Sequence, residues 1–326
     1  MSVGEPCLEP LLVDAGLEDR IRSDGFAIIR LLDPEDAAEI GHRIARAYQD
    51  PIEPNQVGSN WFFGLLDEDR ERANASAELV WKRVVPVLEP LFAGARCHYA
   101  SVALKGAGAG PTPMHQHWPS TVDPYARRIG CWVLLSSGGG STSFRLVPRS
   151  HQLLPFIRHE GSEDYFGSFS DAVDRTYARD VEVKDGEAIL FEDSLLHGTS
   201  ANEGPRLRVA ALANFIGSDM KPARIVPEAD GNFAILCPVD EEPTSTKRPL
   251  GRPPSVVRKV GTLPNRNRTI SEEEFRQLLA LGRKASLAFD PLGLVREPAA
   301  PAGETAVSQP GLVQRLRRAV ARLWPA

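Results

Sequence analysis

Three histidines in two separate stretches of the chain have the residue type and spacing of a metal site. His115 and His117 stand two residues apart in Met114-His-Gln-His-Trp-Pro119. On an extended segment their imidazoles project to the same side, because strand side chains alternate with a period of two. His197 ends a later apolar stretch and precedes a turn rich in Gly, Ser, Asn and Pro. A later strand can therefore bring a third imidazole to the first two, and we predict a three-histidine metal site.

The sequence around these histidines resembles a known family. Its order and spacing, over roughly residues 24 to 220, are similar to the phytanoyl-CoA dioxygenase family of non-haem Fe(II)/2-oxoglutarate oxygenases. The matching segments are His-Gln-x-Trp-x-x-x-Val-Asp (His115 to Asp123), Trp132-Val-Leu-Leu, Val147-Pro-Arg-Ser-His151, Gly-Glu-Ala-Ile-Leu-Phe (Gly186 to Phe191) and His197-Gly-Thr-Ser-x-Asn202. In that family a His-x-Asp pair and a distant histidine ligate iron, and an arginine shortly after the distant histidine holds 2-oxoglutarate.

One position departs from the family pattern. Where the family has aspartate, this chain has His117. The exchange replaces an anionic oxygen ligand by a neutral nitrogen, so no protein ligand compensates the charge of the iron. We hypothesise that such a site retains iron more weakly unless the 2-oxoglutarate dianion is bound. An imidazole also fills the space that halogenating relatives leave for a halide. Asp123 belongs to the resembling motif as a separate position, and we do not expect it to ligate the metal.

The resemblance also implies a 2-oxoglutarate site. A guanidinium matches a carboxylate with two parallel hydrogen bonds, which favours arginine over lysine in a semi-buried slot. Arg208 has the spacing after His197 that the resemblance implies, and Arg206 is the competing choice. We expect the Thr199 hydroxyl to donate to the same carboxylate. The predicted cosubstrate residues are Arg208, Thr199, Gln116 and Lys105.

Many short strands separated by Gly, Pro, Ser and Asn turns favour a sandwich or barrel. Strands are predicted over 96–105, 129–136, 143–147, 181–183, 187–191 and 206–216, and helices over 15–23, 33–48 and 67–92, the second capped by Asp33. The resemblance implies a mainly β double-stranded β-helix, a cupin-like jelly roll, with flanking α-helices. We expect the insertion over residues 151–180 to form a lid or wall over the mouth of the barrel.

Three regions are expected along the chain. Residues 1–240 form the oxygenase domain with its N-terminal helices. Residues 241–296 hold an extended basic segment and a helix opened by the capping box Ser271-x-x-Glu274, both packed on the core. Residues 297–326 are a disordered linker followed by a basic amphipathic helix. Residues 309–326 dock on the protein itself or a partner, or make weak contact with a membrane surface.

Composition limits the class of protein. A net charge of −5 and a pI near 5.9 give no reason to expect a nucleic-acid partner. The four cysteines have no paired spacing, which indicates reduced thiols. The first residues lack a basic flank and an apolar stretch, and no apolar run reaches about 18 residues. We therefore expect a cytoplasmic protein.

These features favour an Fe(II)/2-oxoglutarate-dependent dioxygenase that acts with O2 on a small molecule, most simply as a hydroxylase. Two alternatives remain open. One is a cupin-type three-histidine metalloenzyme that does not use 2-oxoglutarate, against which Arg208 argues. The other is a catalytically degenerate barrel that binds a ligand or partner, for which the lost aspartate argues. Retention of Trp118, Thr199 and Arg208 argues against such decay.

Overall fold

A computed structural model describes residues 10–48, 52–55, 60–151, 153–159, 162–238 and 257–281. The described strands are β1 (Phe26–Arg30), β2 (Phe62–Phe63), β3 (Ala95–Lys105), β4 (Thr112–His115), β5 (Arg128–Ser136), β6 (Ser143–Leu146), β7 (Arg179–Glu182), β8 (Glu187–Glu192), β9 (His197–Thr199), β10 (Arg208–Gly217), β11 (Arg224–Pro227), β12 (Phe233–Pro238) and β13 (Val257–Leu263). They form a six-stranded sheet in the order β1-β8-β5-β10-β3-β2, a four-stranded sheet in the order β4-β9-β6-β7, and a three-stranded sheet in the order β11-β12-β13. Every strand pair in them is antiparallel.

The two larger sheets share an apolar layer. Trp132 of β5 and Ile189 of β8 meet Phe144 and Leu146 of β6 there. The opposite face of the six-stranded sheet packs against α1 (Ala15–Asp24), α2 (Pro34–Ala47) and α3 (Arg70–Arg83). β5 is therefore covered on both faces, which explains its unbroken apolar run. This architecture confirms the predicted jelly roll with flanking helices.

The helix starts agree with the sequence except in one detail. Asp14 caps α1 by accepting a hydrogen bond from Leu17 N (2.7 Å), and Asp69 caps α3. Asp33 precedes Pro34 at the start of α2, as predicted, but its side chain makes no capping hydrogen bond. The prediction of a side-chain cap there was wrong, because Asp33 contributes only its backbone carbonyl to Ala37 N.

The long helical region predicted over 67–92 is divided. It consists of α3, the short α4 (Val85–Leu88) and a 3₁₀ turn (Glu89–Leu91). Pro86 and Pro90 stand near the start of the last two elements, where a missing backbone N–H costs nothing.

The insertion and the last described helix form one packed unit. Ser271 Oγ accepts from Glu274 N (3.2 Å), as the capping box predicts, and opens α6 (Glu272–Leu281). Phe275 of α6 packs against Tyr165 and Phe169 of the insertion, where the chain forms α5 (Ser170–Ala172) between short helical turns. Of the two predicted forms, lid or wall, the insertion resembles a packed wall, since Tyr165, Phe166 and Phe169 are buried.

Part of the basic segment predicted as extended is the edge strand β13, paired with β12. None of the described helices is long and apolar enough to span a bilayer. The predicted linker and the amphipathic tail at 309–326 lie outside the described residues.

Candidate active site

Strand pairing brings the three predicted ligands together. His115 of β4 and His197 of β9 are direct cross-strand partners, with ring centroids 4.4 Å apart. His117 follows β4, and its ring lies 4.7 Å from that of His197. One nitrogen from each ring lies within 4.8 Å of the others. Gly198 permits this closeness, because a Cβ there would stand 2.4 Å from the Thr112 carbonyl oxygen of β4.

Each imidazole has its Nδ1 occupied. The His115 Nδ1 is 2.8 Å from Pro113 O, and the His197 Nδ1 is 2.8 Å from Leu195 O. A carbonyl only accepts, so Nδ1 carries the proton and Nε2 keeps its lone pair. Burial, reinforced by Arg158 and His117, lowers the pKa of His115 to about 3. Burial also places the pKa of His197 well below its usual value. Both rings are therefore neutral and ready to ligate a metal.

The Nδ1 of His117 meets a carboxylate. It lies 2.9 Å from Oδ1 of Asp193, which is 3% exposed. Arg128 Nε donates to the other oxygen (3.0 Å), and Asn214 Nδ2 donates to both (2.9 and 3.0 Å). Burial opposes the charged form, yet His117 first, then Arg128 and Asn214, hold the pKa of Asp193 below its usual value. A buried anion thus stands directly behind the third imidazole.

This carboxylate changes the expectation from the sequence. With His117 in the predicted ligand position the site would have no anionic protein ligand, but Asp193 supplies a negative charge one hydrogen bond away. Asp123, by contrast, lies outside the cluster and accepts from Tyr125 N (2.9 Å).

A pair of cations lies on the larger sheet facing the same space. Lys105 of β3 and Arg208 of β10 are direct cross-strand partners. Lys105 Nζ donates to Thr199 Oγ1 (3.0 Å) and Ser200 O (2.9 Å), and Thr199 Oγ1 is 2.9 Å from Thr112 Oγ1. Burial, with a smaller contribution from Arg208, lowers the pKa of Lys105 to about 7.

Arg208 is 2% exposed, whereas Arg206 lies exposed before the strand. The Arg208 Nη1 donates to Ser200 O (2.8 Å), and Nη2 donates to Ala201 O and Ser141 O. Its buried Nε has no hydrogen-bond partner within the described part of the chain. An orphaned N–H of a charged group is costly unless a ligand satisfies it. Of the guanidinium predicted to make two parallel hydrogen bonds, the Nε is thus left without a partner, and Lys105 lies opposite Arg208 on the neighbouring strand.

Asn202 fixes the turn that delivers these cations. Its fully buried side-chain amide donates to the carbonyls of Lys105, Gly106 and Arg206 at 2.9–3.0 Å. This contact ties the end of β3 to the start of β10. The sequence motif contained Asn202, but its spacing did not reveal this role.

One cavity of about 290 Å³ joins the three-histidine cluster and the cation pair. All seven predicted site residues line it: His115, His117, His197, Arg208, Thr199, Gln116 and Lys105. Gln116 Nε2 donates to Ser194 O, so its amide nitrogen is already used. Around the rest of the cavity aromatic and aliphatic side chains dominate, including Trp61, Phe63, Leu65, Leu66, Trp118 and Leu212.

The remaining histidines with described positions stand apart from the cluster. His151 is buried, and its Nε2 contacts Arg22 O (3.2 Å). His159 packs against Phe233, with ring centroids 5.4 Å apart, and does not line the cavity.

Fold and site together define a class: a jelly-roll protein whose cavity is lined by three clustered imidazoles and by the cationic side chains of Lys105 and Arg208. A search of curated proteins finds no match. A family model, phytanoyl-CoA dioxygenase (PhyH), matches residues 21–210, more than half of the chain. The chain belongs to the phytanoyl-CoA dioxygenase family and is an oxygenase of the kind that uses Fe(II) and 2-oxoglutarate.

Three solved structures with a similar fold are the following. The α-ketoglutarate-dependent epimerase SnoN from nogalamycin biosynthesis is 19% identical, with a TM-score of 0.48, 77% of this chain covered and 93% of that one. EctD from S. alaskensis is 18% identical (TM-score 0.46, 67% and 85%). EvdO2 from Micromonospora carbonacea var. aurantiaca, complexed with 2-oxoglutarate, is 20% identical (TM-score 0.42, 68% and 98%).

Proposed function

We propose that this protein is an Fe(II)/2-oxoglutarate-dependent oxygenase of a small molecule, with His115, His117 and His197 as its iron ligands. The observation that carries the proposal is the shared cavity, which is lined by the three imidazoles and by Arg208, whose buried Nε has no hydrogen-bond partner among the described residues. Bound iron would supply O2 activation driven by oxidation of 2-oxoglutarate. The protein residues hold the metal, orient the cosubstrate and shield the cavity from water.

The donor set fits both groups. Neutral imidazoles suit Fe(II), and three ligands on one side leave positions open for a chelating cosubstrate and O2. Arg208, Lys105 and the Thr199 hydroxyl offer donors for the far carboxylate of 2-oxoglutarate. A three-histidine metalloenzyme that does not use 2-oxoglutarate would not need two buried cations in the same cavity. A catalytically degenerate barrel would not need three imidazoles whose nitrogens cluster within 4.8 Å of one another.

Iron and 2-oxoglutarate are expected to bind cooperatively. The three histidines bring no charge of their own to the metal. Without the cosubstrate, the described carboxylate that offsets the positive charge of the metal is Asp193, and the 2-oxoglutarate dianion adds further negative charge when it binds. Anaerobic Fe(II) titrations should give a dissociation constant at least about tenfold lower with 2-oxoglutarate present, a coupling of about 1.4 kcal/mol. Admission of O2 should then yield succinate, detected by mass spectrometry. Equal iron affinities and no succinate would contradict the proposed function.

The affinity for 2-oxoglutarate is expected to fall as pH rises above about 7. Burial lowers the pKa of Lys105 to about 7 in the free protein, so its ammonium is lost above that pH and the anion loses one of two cations. Binding then requires proton uptake, and the dissociation constant rises by up to about tenfold per pH unit. Calorimetry of the metal-loaded protein from pH 6 to 9 measures this. The Lys105→Met variant should bind 2-oxoglutarate more weakly at pH 6, and its dissociation constant should not change with pH. If the dissociation constant of this variant still depends on pH, the dependence arises from another group.

We further propose that the substrate presents an apolar, uncharged surface to the cavity. Trp118 and Leu66 are 46% and 45% exposed and line it, as do Trp61 and Phe63. The remaining cation, Arg158, is paired with Asp164 (3.3 Å) and donates to Gln116 O (2.8 Å). A charged substrate group would thus be buried without a free partner, which is costly.

A matched probe pair tests this substrate class. We expect 2-naphthol to bind the 2-oxoglutarate-loaded protein about tenfold more tightly than 2-naphthoate, measured by quenching of tryptophan fluorescence. Trp118→Ser should weaken naphthol binding, whereas Val257→Ser, at an exposed apolar position of β13 outside the cavity, should not. Tighter binding of the naphthoate would show that Arg158 is available to anions.

A further inference from the structure

The three predicted ligands differ in what stands behind them. His115 and His197 each direct Nδ1 to a neutral carbonyl two residues earlier in the chain. His117 directs Nδ1 to the carboxylate of Asp193, 76 residues away. His117 also occupies the position where the family pattern has an aspartate. His117, the imidazole at the family's aspartate position, is therefore the one of the three that contacts a carboxylate.

We propose that Asp193 is a positioning residue for the metal, acting through His117 and restoring, one hydrogen bond further out, the carboxylate that the family supplies as a ligand. This inference rests on the proposed function and deepens it. A carboxylate that accepts the Nδ1–H keeps the Nε2 lone pair free, fixes the ring orientation and makes the imidazole a stronger donor to the metal. Through the polarised imidazole it also places negative charge near the cation.

Asp193 is fixed in position by hydrogen bonds to its side chain and to its backbone. Arg128 and Asn214 donate three hydrogen bonds to its carboxylate. The backbone adds two more, from Asp193 N to Arg128 O (3.1 Å) and from His117 N to Asp193 O (2.9 Å). The His117–Asp193 contact is therefore doubled, through side chains and through backbone. Arg128 partly neutralises the carboxylate of Asp193. We therefore expect substitution of Asp193 to weaken metal binding by the amount typical of an outer-sphere residue, which is less than the loss of a ligand would cause.

The neighbouring residue provides a matched comparison. Glu192 is also buried, at 2% exposure, and also pairs with an arginine, accepting from Arg127 Nε at 2.7 Å. It makes no contact with His117. Glu192→Gln and Asp193→Asn therefore remove the same charge from similar surroundings, and only the second removes it from behind a ligand.

Titration with Co(II), followed by its visible absorption spectrum, tests the proposal without turnover. We expect Asp193→Asn to raise the Co(II) dissociation constant by about 10–100-fold, the range typical of outer-sphere partners, and to shift the ligand-field bands. Glu192→Gln should stay within about threefold of the unmodified protein, with unchanged bands. Equal effects of the two substitutions would overturn the proposal. Failure of the unmodified protein to bind Co(II) would instead refute the metal site itself.

A second background separates positioning from folding. With His117→Asp, a carboxylate stands at the ligand position and Asp193 becomes a like charge beside it. Adding Asp193→Asn in this background should leave Co(II) affinity unchanged or raise it, the opposite of its effect with His117 present. A further loss there would contradict the proposal. If Asp193→Asn does not fold, Asn214→Ala is the alternative test. It removes two hydrogen bonds to the Asp193 carboxylate but keeps the one from Arg128, and it should weaken Co(II) binding about 3–10-fold. An unchanged Co(II) affinity would overturn the proposal.

Discussion

Replacement of His197 by alanine is expected to abolish iron binding and all 2-oxoglutarate turnover. His197 is 3% exposed, and its ring is stacked on Phe144 at 5.3 Å with an interplanar angle of 5°. Its orientation is therefore set before any metal arrives, and no other described side chain can take its place. Loss of one of three ligands should raise the metal dissociation constant by at least about 100-fold, beyond the usual cost of an outer-sphere change.

His151→Ala is the control for this variant. His151 is an equally buried histidine that contacts Arg22 O rather than the cavity, so its loss should lower thermal stability without changing metal affinity. Metal binding by the two proteins is compared by Co(II) titration, and turnover by succinate formation. Retention of metal by His197→Ala would show that the three-histidine cluster is not the iron site.

Replacement of Arg208 by methionine is expected to raise the dissociation constant for 2-oxoglutarate by about 100-fold or more, since truncating one partner of a buried charge pair costs about 2–5 kcal/mol. Lys105 alone then faces the carboxylate, without a planar fork. Arg208→Lys restores charge but not geometry and should give an intermediate value. Calorimetry on the metal-loaded proteins measures the 2-oxoglutarate dissociation constants of the unmodified protein and of the two variants.

Arg206→Met is the matched control, because Arg206 is the competing arginine two residues earlier and is exposed. It should leave 2-oxoglutarate affinity within about twofold. Metal affinity measured without 2-oxoglutarate should not change in either variant, which separates loss of the cosubstrate from loss of iron. An effect of Arg206→Met as large as that of Arg208→Met would reverse the assignment.

Much of this site could be predicted from spacing. The period of two put His115 and His117 on one side of the chain, and the turn after His197 predicted a strand returning with arginines. The choice of Arg208 over Arg206 agrees with their burial. These properties depend on local geometry, which the sequence expresses directly.

The partner behind His117 could not be predicted in this way. Glu192 and Asp193 are adjacent acids at the end of β8, and nothing local tells which one faces the metal. The answer depends on the backbone pairing of Asp193 with His117 and Arg128, which joins segments far apart in the chain. The sequence left open whether the insertion is a lid or a wall for a similar reason, since its buried aromatic residues pack partly against α6, about 100 residues later.

That contact has a consequence for the limits of the folding unit. Met114 and Leu196, each one residue before a proposed ligand histidine, belong to the same apolar cluster as Phe275 and Leu278 of α6. The region matched by the family model ends at residue 210, yet the residues packed behind β4 and β9 continue to residue 279. Trimming the protein to the region matched by the family model would expose the reverse side of the strands that carry the proposed ligands, so recombinant boundaries belong beyond Leu281.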